Sequence, residues 1–125
     1  MRVLASALLC VPLLAFPALA QTVPSGEQLF RSQCGACHGV DSRNRVGPGL
    51  AGVLGRRAAA VESFRYSNAM RTRAAEGLTW DEATLHAYLQ APKQVVPGGS
   101  MSYVGMKDEA RLNALLAYLK ENAGS

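Results

Sequence analysis

Two cysteines and a histidine are the residues whose types and spacing can carry chemistry. Cys34-Gly35-Ala36-Cys37-His38 has the form C-x-x-C-H, the pattern by which c-type haem is attached to protein. One helical turn separates the two sulfurs, which suits the two vinyl groups of a haem, and the next residue supplies an imidazole for the iron. The motif therefore predicts one covalent haem c, held by Cys34 and Cys37, with His38 as an iron ligand.

Two other kinds of site use the same residues. A thiol redox pair needs no following histidine, and it usually lies at a strand-to-helix junction that this sequence does not predict. A zinc site would recruit His86 as well, but adjacent Cys37 and His38 are poorly arranged around one tetrahedral ion. Haem attachment is the favoured interpretation, and His86 is then a residue on a helix surface.

One histidine leaves the opposite side of the iron open. Methionine is the usual second ligand where the task is electron transfer, because a thioether stabilises reduced iron. Met70 and Met106 lie near the ends of predicted helices, where packing roles are expected. Met101 follows the turn residues 97–100, which allow a loop to direct a side chain inward. This pattern favours Met101 as the second ligand.

The first twenty residues predict a signal peptide. A positive start precedes an apolar run that ends in Ala18-Leu19-Ala20, a small-x-small cleavage pattern. A membrane anchor is less favoured, because Pro12 and Pro17 interrupt the run. We therefore expect residues 1–20 to be removed and residues 21–125 to form one exported, periplasmic domain of a bacterium.

Helix signals recur along the rest of the chain. The capping boxes Ser25–Gln28 and Thr79–Glu82 predict two helix starts, and the second helix is expected to stop before Pro92. A short helix is predicted over 69–76, ended by Gly77. The last predicted helix has Asp108 and Glu109 in its first turn and an apolar stripe made of Leu112, Leu115, Leu116 and Leu119.

Long irregular segments separate these helices, at residues 39–68 and 95–106. So few short helices make a thin core for a small domain, and loops of this length are unusual in one. A large apolar cofactor resolves both difficulties, because loops can wrap around it. The predicted fold is therefore all-α, with three to five short helices and long loops wrapped around one haem.

The charge pattern bears on partners. The formal net charge is +4 at pH 7, which favours an acidic protein partner or an anionic surface. Lys and Arg are scattered, with no aromatic-basic stripe, so we expect no nucleic-acid partner.

A series of short motifs extends over nearly all of residues 21–125: Phe30-x-x-x-Cys34-x-x-Cys37-His38, Val46-Gly47-Pro48-Gly49-Leu50, Gly52-x-x-Gly55-Arg56, Phe64-Arg65-Tyr66, Gly77-Leu78-Thr79-Trp80, Tyr88-Leu89-x-x-Pro92-Lys93, Pro97-Gly98-x-x-Met101 and Ala117-Tyr118-Leu119-Lys120. This series resembles the class I c-type cytochromes, in particular mitochondrial cytochrome c and its soluble bacterial counterparts.

The resemblance implies roles for individual residues. Met101 takes the second axial position, and the Pro48 carbonyl accepts the proton on the other nitrogen of His38. The Tyr88 hydroxyl approaches the methionine sulfur. Residues expected around the haem propionates, or otherwise packed as core aromatics near the haem, are Tyr66, Trp80 and Arg56. Residues expected at the contact between the first and last helices are Gly26, Phe30, Leu115 and Tyr118.

The resemblance also implies a function. A closed iron bound by His38 and Met101 is expected in a monomeric one-electron carrier, whose partners are larger redox proteins: a membrane cytochrome complex, an oxidase, a reaction centre or a dehydrogenase. Docking is expected to be steered by Arg45, Lys93 and Lys107. A peroxidase, a dehydrogenase subunit or a gas sensor would instead require Met101 to leave the iron.

Departures from the family pattern weaken the expected basic ring. Gly99 and Ser100 stand where mitochondrial members often carry Thr and Lys, and Gln94 replaces a common lysine. Extra residues lie between Tyr66 and Trp80, so the resemblance assigns no role to Met70.

Overall fold

The computed structural model describes Pro12 and residues 14–124. Most of the predicted signal peptide, including its first eleven residues, therefore lies outside the described residues. The part that is described contains five α-helices and no strand, with one isolated antiparallel bridge between Arg57 and Thr79. The all-α prediction is confirmed. The helices are α1 (Gly26–Gln33), α2 (Asn68–Ala75), α3 (Glu82–Gln90), α4 (Pro92–Val95) and α5 (Glu109–Ala123).

Side chains cap the helix starts, and one predicted cap is wrong. The capping box at Ser25 is present in both directions, with Gln28 reaching back to the Ser25 amide. The box predicted at Thr79 is absent. Asp81 caps α3 instead, because its carboxylate accepts a hydrogen bond of 2.7 Å from the Thr84 amide. Both residue types favour N-caps, and the antiparallel bridge to Arg57 keeps Thr79 extended and outside the helix.

Pro92 does more than end α3. The helix stops at Gln90, as expected, but Pro92 then occupies the first position of the four-residue α4. That helix was not predicted: the preceding helix was expected to end before Pro92, no helix was assigned to residues 92–94, and an irregular segment was expected at residues 95–106. Proline suits a first helical position because its missing N–H would have no intrahelical acceptor there. The short helix fixes the direction in which the chain enters residues 96–108.

The contact between α1 and α5 forms the base of the core. A Cβ atom at Gly26 would lie 2.2 Å from the Ala114 carbonyl oxygen, so only glycine allows the two helices to approach this closely. The rings of Phe30 and Tyr118 pack with centroids 5.4 Å apart. Leu115 is fully buried on the same helix face. The expected packing of the first and last helices is confirmed.

The loops enclose a cavity on the other side of this helix pair. Residues 34–56 and residues 96–106 both contribute side chains to its lining, together with residues of α2 and α3. The Arg73 side chain ties α2 to the second loop by donating to the Val95 carbonyl at 2.9 Å. The described helices therefore position two long loops that line one shared cavity.

Candidate functional site

One cavity brings together the residues that the sequence predicted separately. It has a volume of about 410 Å³, within the range of sites that bind small molecules and cofactors. Its lining combines apolar side chains with a few polar groups. Every predicted site residue lines this cavity: Cys34, Cys37, His38, Pro48, Arg56, Tyr66, Trp80, Tyr88 and Met101.

The two cysteines lie where α1 unwinds. Cys34 is the C-cap residue of α1, and its amide donates to the Phe30 carbonyl at 2.8 Å. A further turn follows, because the amides of Cys37 and His38 both donate to the Cys34 carbonyl. Both thiols are free, Cys37 being exposed and Cys34 half-buried. Burial, with a smaller contribution from Cys37, raises the pKa of the Cys34 thiol to about 11.

His38 is held by the loop that follows it. Its Nδ1 lies 2.8 Å from the Pro48 carbonyl oxygen, and since a carbonyl can only accept, Nδ1 must carry the proton. In the neutral imidazole, this bond leaves the lone pair on the second nitrogen, Nε2, available to bind a metal. Gly47 packs against the ring: a Cβ there would lie 2.2 Å from the His38 Cε1 atom.

Met101 lies on the opposite loop, half-buried at the cavity wall. The Tyr88 hydroxyl donates to the Met101 sulfur at 3.8 Å, a long contact even for a sulfur acceptor. The Tyr88 ring packs against Trp80 with centroids 4.7 Å apart. Burial raises the pKa of Tyr88 to about 12, so the hydroxyl keeps the proton that it donates.

Arg56 supplies a charged group to an otherwise apolar lining. One terminal nitrogen donates to the carbonyls of Gly49 and Ala51 at 3.1 and 3.0 Å, while Nε is buried with no partner in the structure. A buried N–H without an acceptor is costly. An anionic group bound in the cavity would satisfy it. Tyr66 has a protein partner, because its hydroxyl accepts from the Val61 amide at 3.3 Å.

Met70 and Tyr103 are among the lining residues that were not predicted as site residues. Met70 projects from the first turn of α2, where Ser67 caps its amide at 3.0 Å. Tyr103 follows Met101 by two residues, and its hydroxyl is buried without a partner in the described structure. Met70 was missed because the extra residues near α2 interrupt the family pattern. Tyr103 lies in a loop without periodicity, so only its closeness to Met101 could have indicated it.

The zinc alternative has no geometric support in the described residues. His86 lies on α3 and its Nε2 is 2.9 Å from a carboxylate oxygen of Glu109 on α5. In the part of the chain described, no three His, Cys, Asp or Glu side chains are grouped as metal ligands. His86 is a helix-surface residue, as expected.

The donor set suits a haem c. Two thiols one turn apart can form two thioethers, and the imidazole of His38 and the thioether of Met101 face one cavity from its two loops. The unpartnered Nε of Arg56 needs a hydrogen-bond acceptor, and a haem propionate is an acceptor that would also match its charge. The residues present therefore fit the expected group in shape, polarity and chemistry.

Comparison with known proteins gives a consistent picture. Residues 23–123 match the family model described as Cytochrome c. Cytochrome c2 of Blastochloris viridis is 42% identical over 84% of this chain and 81% of its own length. Cytochrome c of Gibberella zeae is 37% identical over 80% of this chain and 93% of its own length. The solved structure of cytochrome cH from Methylobacterium extorquens superposes with a TM-score of 0.70 at 39% identity, over 77% of this chain and 94% of the other.

Proposed function

Because the chain belongs to the cytochrome c family, we propose that Cys34 and Cys37 bind its haem and that His38 and Met101 are the iron ligands. The protein is a one-electron carrier with one covalently bound haem c, and it is not an enzyme. The observation that carries the ligand assignment is the single cavity, since residues far apart in sequence line it together.

Different residues of the chain have different roles around the haem. When bound, the haem supplies an iron that accepts and releases one electron. His38 presents Nε2 because Pro48 holds the proton on Nδ1. Tyr88 donates to the Met101 sulfur and so orients its lone pairs. Arg56 offers its unpartnered Nε–H to an anionic propionate, and Trp80 and Leu85, both buried, exclude water from the cavity wall.

A visible spectrum of the holoprotein tests the ligand set. We expect a low-spin spectrum, with a weak far-red methionine–iron band in the oxidised protein. Met101→Leu should abolish that band, whereas Met70→Leu is the matched control and should retain it, since both changes remove one thioether from the cavity lining. Loss of the band in Met70→Leu, with retention in Met101→Leu, would reassign the ligand to Met70.

The partner is a redox protein, and we propose where it docks. Arg45, Lys93 and Lys107 are exposed, and each is attached to a loop that encloses the cavity. Arg45 donates to the His38 carbonyl at 3.4 Å, and Lys93 to the Gly99 carbonyl. Val46, which follows Arg45 in sequence, and Val104, three residues before Lys107, add apolar surface at 77% and 85% exposure. We call these five residues the docking face.

An apolar patch bordered by cations suits a partner with an apolar patch bordered by carboxylates. Neutralising Arg45, Lys93 and Lys107 together should slow association and weaken its dependence on ionic strength. The same number of changes at Arg31, Arg111 and Lys120 is a matched control away from the cavity. Equal effects of the two triple variants would show that only net charge matters and would reject the docking face.

We also propose that the protein is exported. Leu14, Phe16 and Leu19 are 80–92% exposed, as expected for apolar residues that belong to a leader and not to the core. No helix in the described part of the chain is long and apolar enough to cross a membrane. Mass spectrometry of the mature protein tests the proposal: cleavage after Ala20 is expected, and an intact residue 1–20 segment in a cell fraction outside the periplasm would contradict it.

A further inference from the structure

Gly47 lies so close to the His38 ring that it limits where the ring can lie. It is buried, and a Cβ placed on it would lie 2.2 Å from Cε1 and 2.7 Å from both ring nitrogens of His38. Optimal contact between carbon atoms begins at about 3.5 Å. No side chain larger than hydrogen therefore fits at this position unless the imidazole moves.

The backbone of Gly47 is itself fixed on both sides. Its amide donates to the Cys37 carbonyl at 2.9 Å, and its carbonyl accepts from the Arg45 amide at 2.9 Å. The next carbonyl, that of Pro48, accepts the His38 Nδ1 proton. The loop therefore leaves no room for a side chain between Gly47 and the ring, and its Pro48 carbonyl binds Nδ1. The bond from the Gly47 amide to the Cys37 carbonyl attaches the loop to the turn that carries His38.

We propose that Gly47 is a positioning residue that sets the plane and tilt of the His38 imidazole and thereby tunes the reduction potential. The inference rests on the proposed function, because it takes His38 as an iron ligand. A strong Nδ1–H hydrogen bond makes an imidazole more electron-donating toward a metal. A larger residue at 47 pushes the ring away from the loop that also carries Pro48, so we expect the Nδ1 bond to lengthen and the reduced state to become more favourable.

Gly47→Ala in the holoprotein tests this directly, with Gly39→Ala as the control. A Cβ at Gly39, next to His38 in sequence, would come closer than 3.4 Å only to the Asp41 carboxylate oxygen, at 2.8 Å. We expect Gly47→Ala to favour reduction about threefold, or about 28 mV at 59 mV per tenfold change for one electron. The haem-methyl proton shifts of the oxidised protein should change with it, since they report ligand orientation. Gly39→Ala should change neither.

A Gly47→Ala potential and methyl-shift pattern equal to those of the wild type would overturn the inference. A measurement on the unmutated reduced protein decides the contact even if the variant cannot be purified. A nuclear Overhauser effect between the Gly47 α-protons and the His38 Hε1 proton is expected, and its absence would also overturn the inference. If His38 is not an iron ligand, the wild-type spectrum will lack the low-spin form although this Overhauser effect persists, so the two failures are distinguishable.

Discussion

The two loops that line the cavity hold the proposed iron ligands in different ways. His38 directly follows Cys37, and its ring is confined by the backbone of Gly47 and Pro48. Met101 depends on a side chain from another helix, since its sulfur is contacted by the Tyr88 hydroxyl at 3.8 Å. The His38 side is therefore built from short-range backbone contacts, and the Met101 side from a long side-chain contact between separate elements.

This difference predicts which of the two proposed ligands should be released first when the protein begins to unfold. Backbone contacts within residues 37–48 are lost only when that whole loop unfolds. The loop that carries Met101 is held outside residues 100–105, by the Arg73 bond to the Val95 carbonyl on one side and by the Met106 bond to the Leu89 carbonyl on the other. The described residues 100–105 themselves make no backbone–backbone hydrogen bond. Local opening of low-stability segments precedes global unfolding, so we expect Met101 to leave the iron before His38 does.

Removing each ligand should give the largest contrast. His38→Ala is expected to reduce covalent haem incorporation and to abolish the low-spin spectrum, because it removes the proposed iron ligand that directly follows Cys37. Met101→Ala should retain the haem but open the iron on one side. Haem staining of purified protein and carbon monoxide binding by the reduced form measure the two effects. Equal haem content in the two variants, together with no carbon monoxide binding by reduced Met101→Ala, would contradict the expected difference between the two ligands.

Gly105→Ala should loosen the Met101 loop at its anchored end. Gly105 has a φ of 104°, and a Cβ there would lie 2.2 Å from the Gln90 carbonyl oxygen. Strained backbone costs about 1–3 kcal/mol, and the clash adds to this. Gly52→Ala is the control, because its φ is 70° and its Cβ would have no neighbour within 4 Å. In urea, the far-red band of Gly105→Ala should disappear well before global unfolding, and coincident loss in both variants would refute the expectation.

Tyr88→Phe removes the one hydrogen bond to the Met101 sulfur and leaves the ring packed on Trp80. A hydrogen bond of this kind contributes about 0.5–1.5 kcal/mol. A donor withdraws electron density from sulfur, so its loss should lower the reduction potential. Because the same contact positions the Met101 side chain, its loss should also speed the exchange of Met101 with added imidazole. Tyr118→Phe is a matched control, since Tyr118 packs on Phe30 away from the cavity lining. An unchanged exchange rate in Tyr88→Phe would show that the Tyr88 hydroxyl does not hold Met101 in place.

Acid should give the smallest effect, through the cap of the helix that carries Tyr88. Hydrogen bonds from the Thr84 backbone and side chain lower the pKa of Asp81 below 3.8. The carboxylate therefore stabilises the folded protein above pH 3.8, and this stabilisation is lost as the pH falls through the folded-state pKa. Asp81→Asn keeps a capping side chain that does not titrate.

The free energy of unfolding of Asp81→Asn should depend less on pH below 4 than that of the wild type. The Met101 far-red band of the wild type is expected to weaken with acid before the haem-binding turn is affected. Asp41→Asn tests the other loop, where hydrogen bonds from Arg43 lower the pKa of Asp41. If Asp41→Asn flattened the acid response of the far-red band more than Asp81→Asn, the acid-sensitive region would lie on the His38 side.

Local patterns predicted much of the fold. The capping box at Ser25 and the apolar stripe of α5 each depend on residues within two or three turns, and both were confirmed. The predicted helix over 69–76 is present one residue earlier, at Asn68–Ala75, and Gly77 follows it with a φ of 94°. The cap of α3 was misplaced because Thr79 and Asp81 are both good caps, and only a bridge to the distant Arg57 excludes Thr79.

The sequence by itself determined the chemistry of the site, because the C-x-x-C-H motif fixes two sulfurs and an imidazole within one turn of chain. Met101 could also be selected, since turn residues precede it. Tertiary structure alone decided that Gly47 contacts the His38 ring, that Arg56 has a free buried N–H, and that Met70 and Tyr103 join the cavity lining. Close approaches between distant segments depend on how the whole chain packs, and no local spacing encodes them.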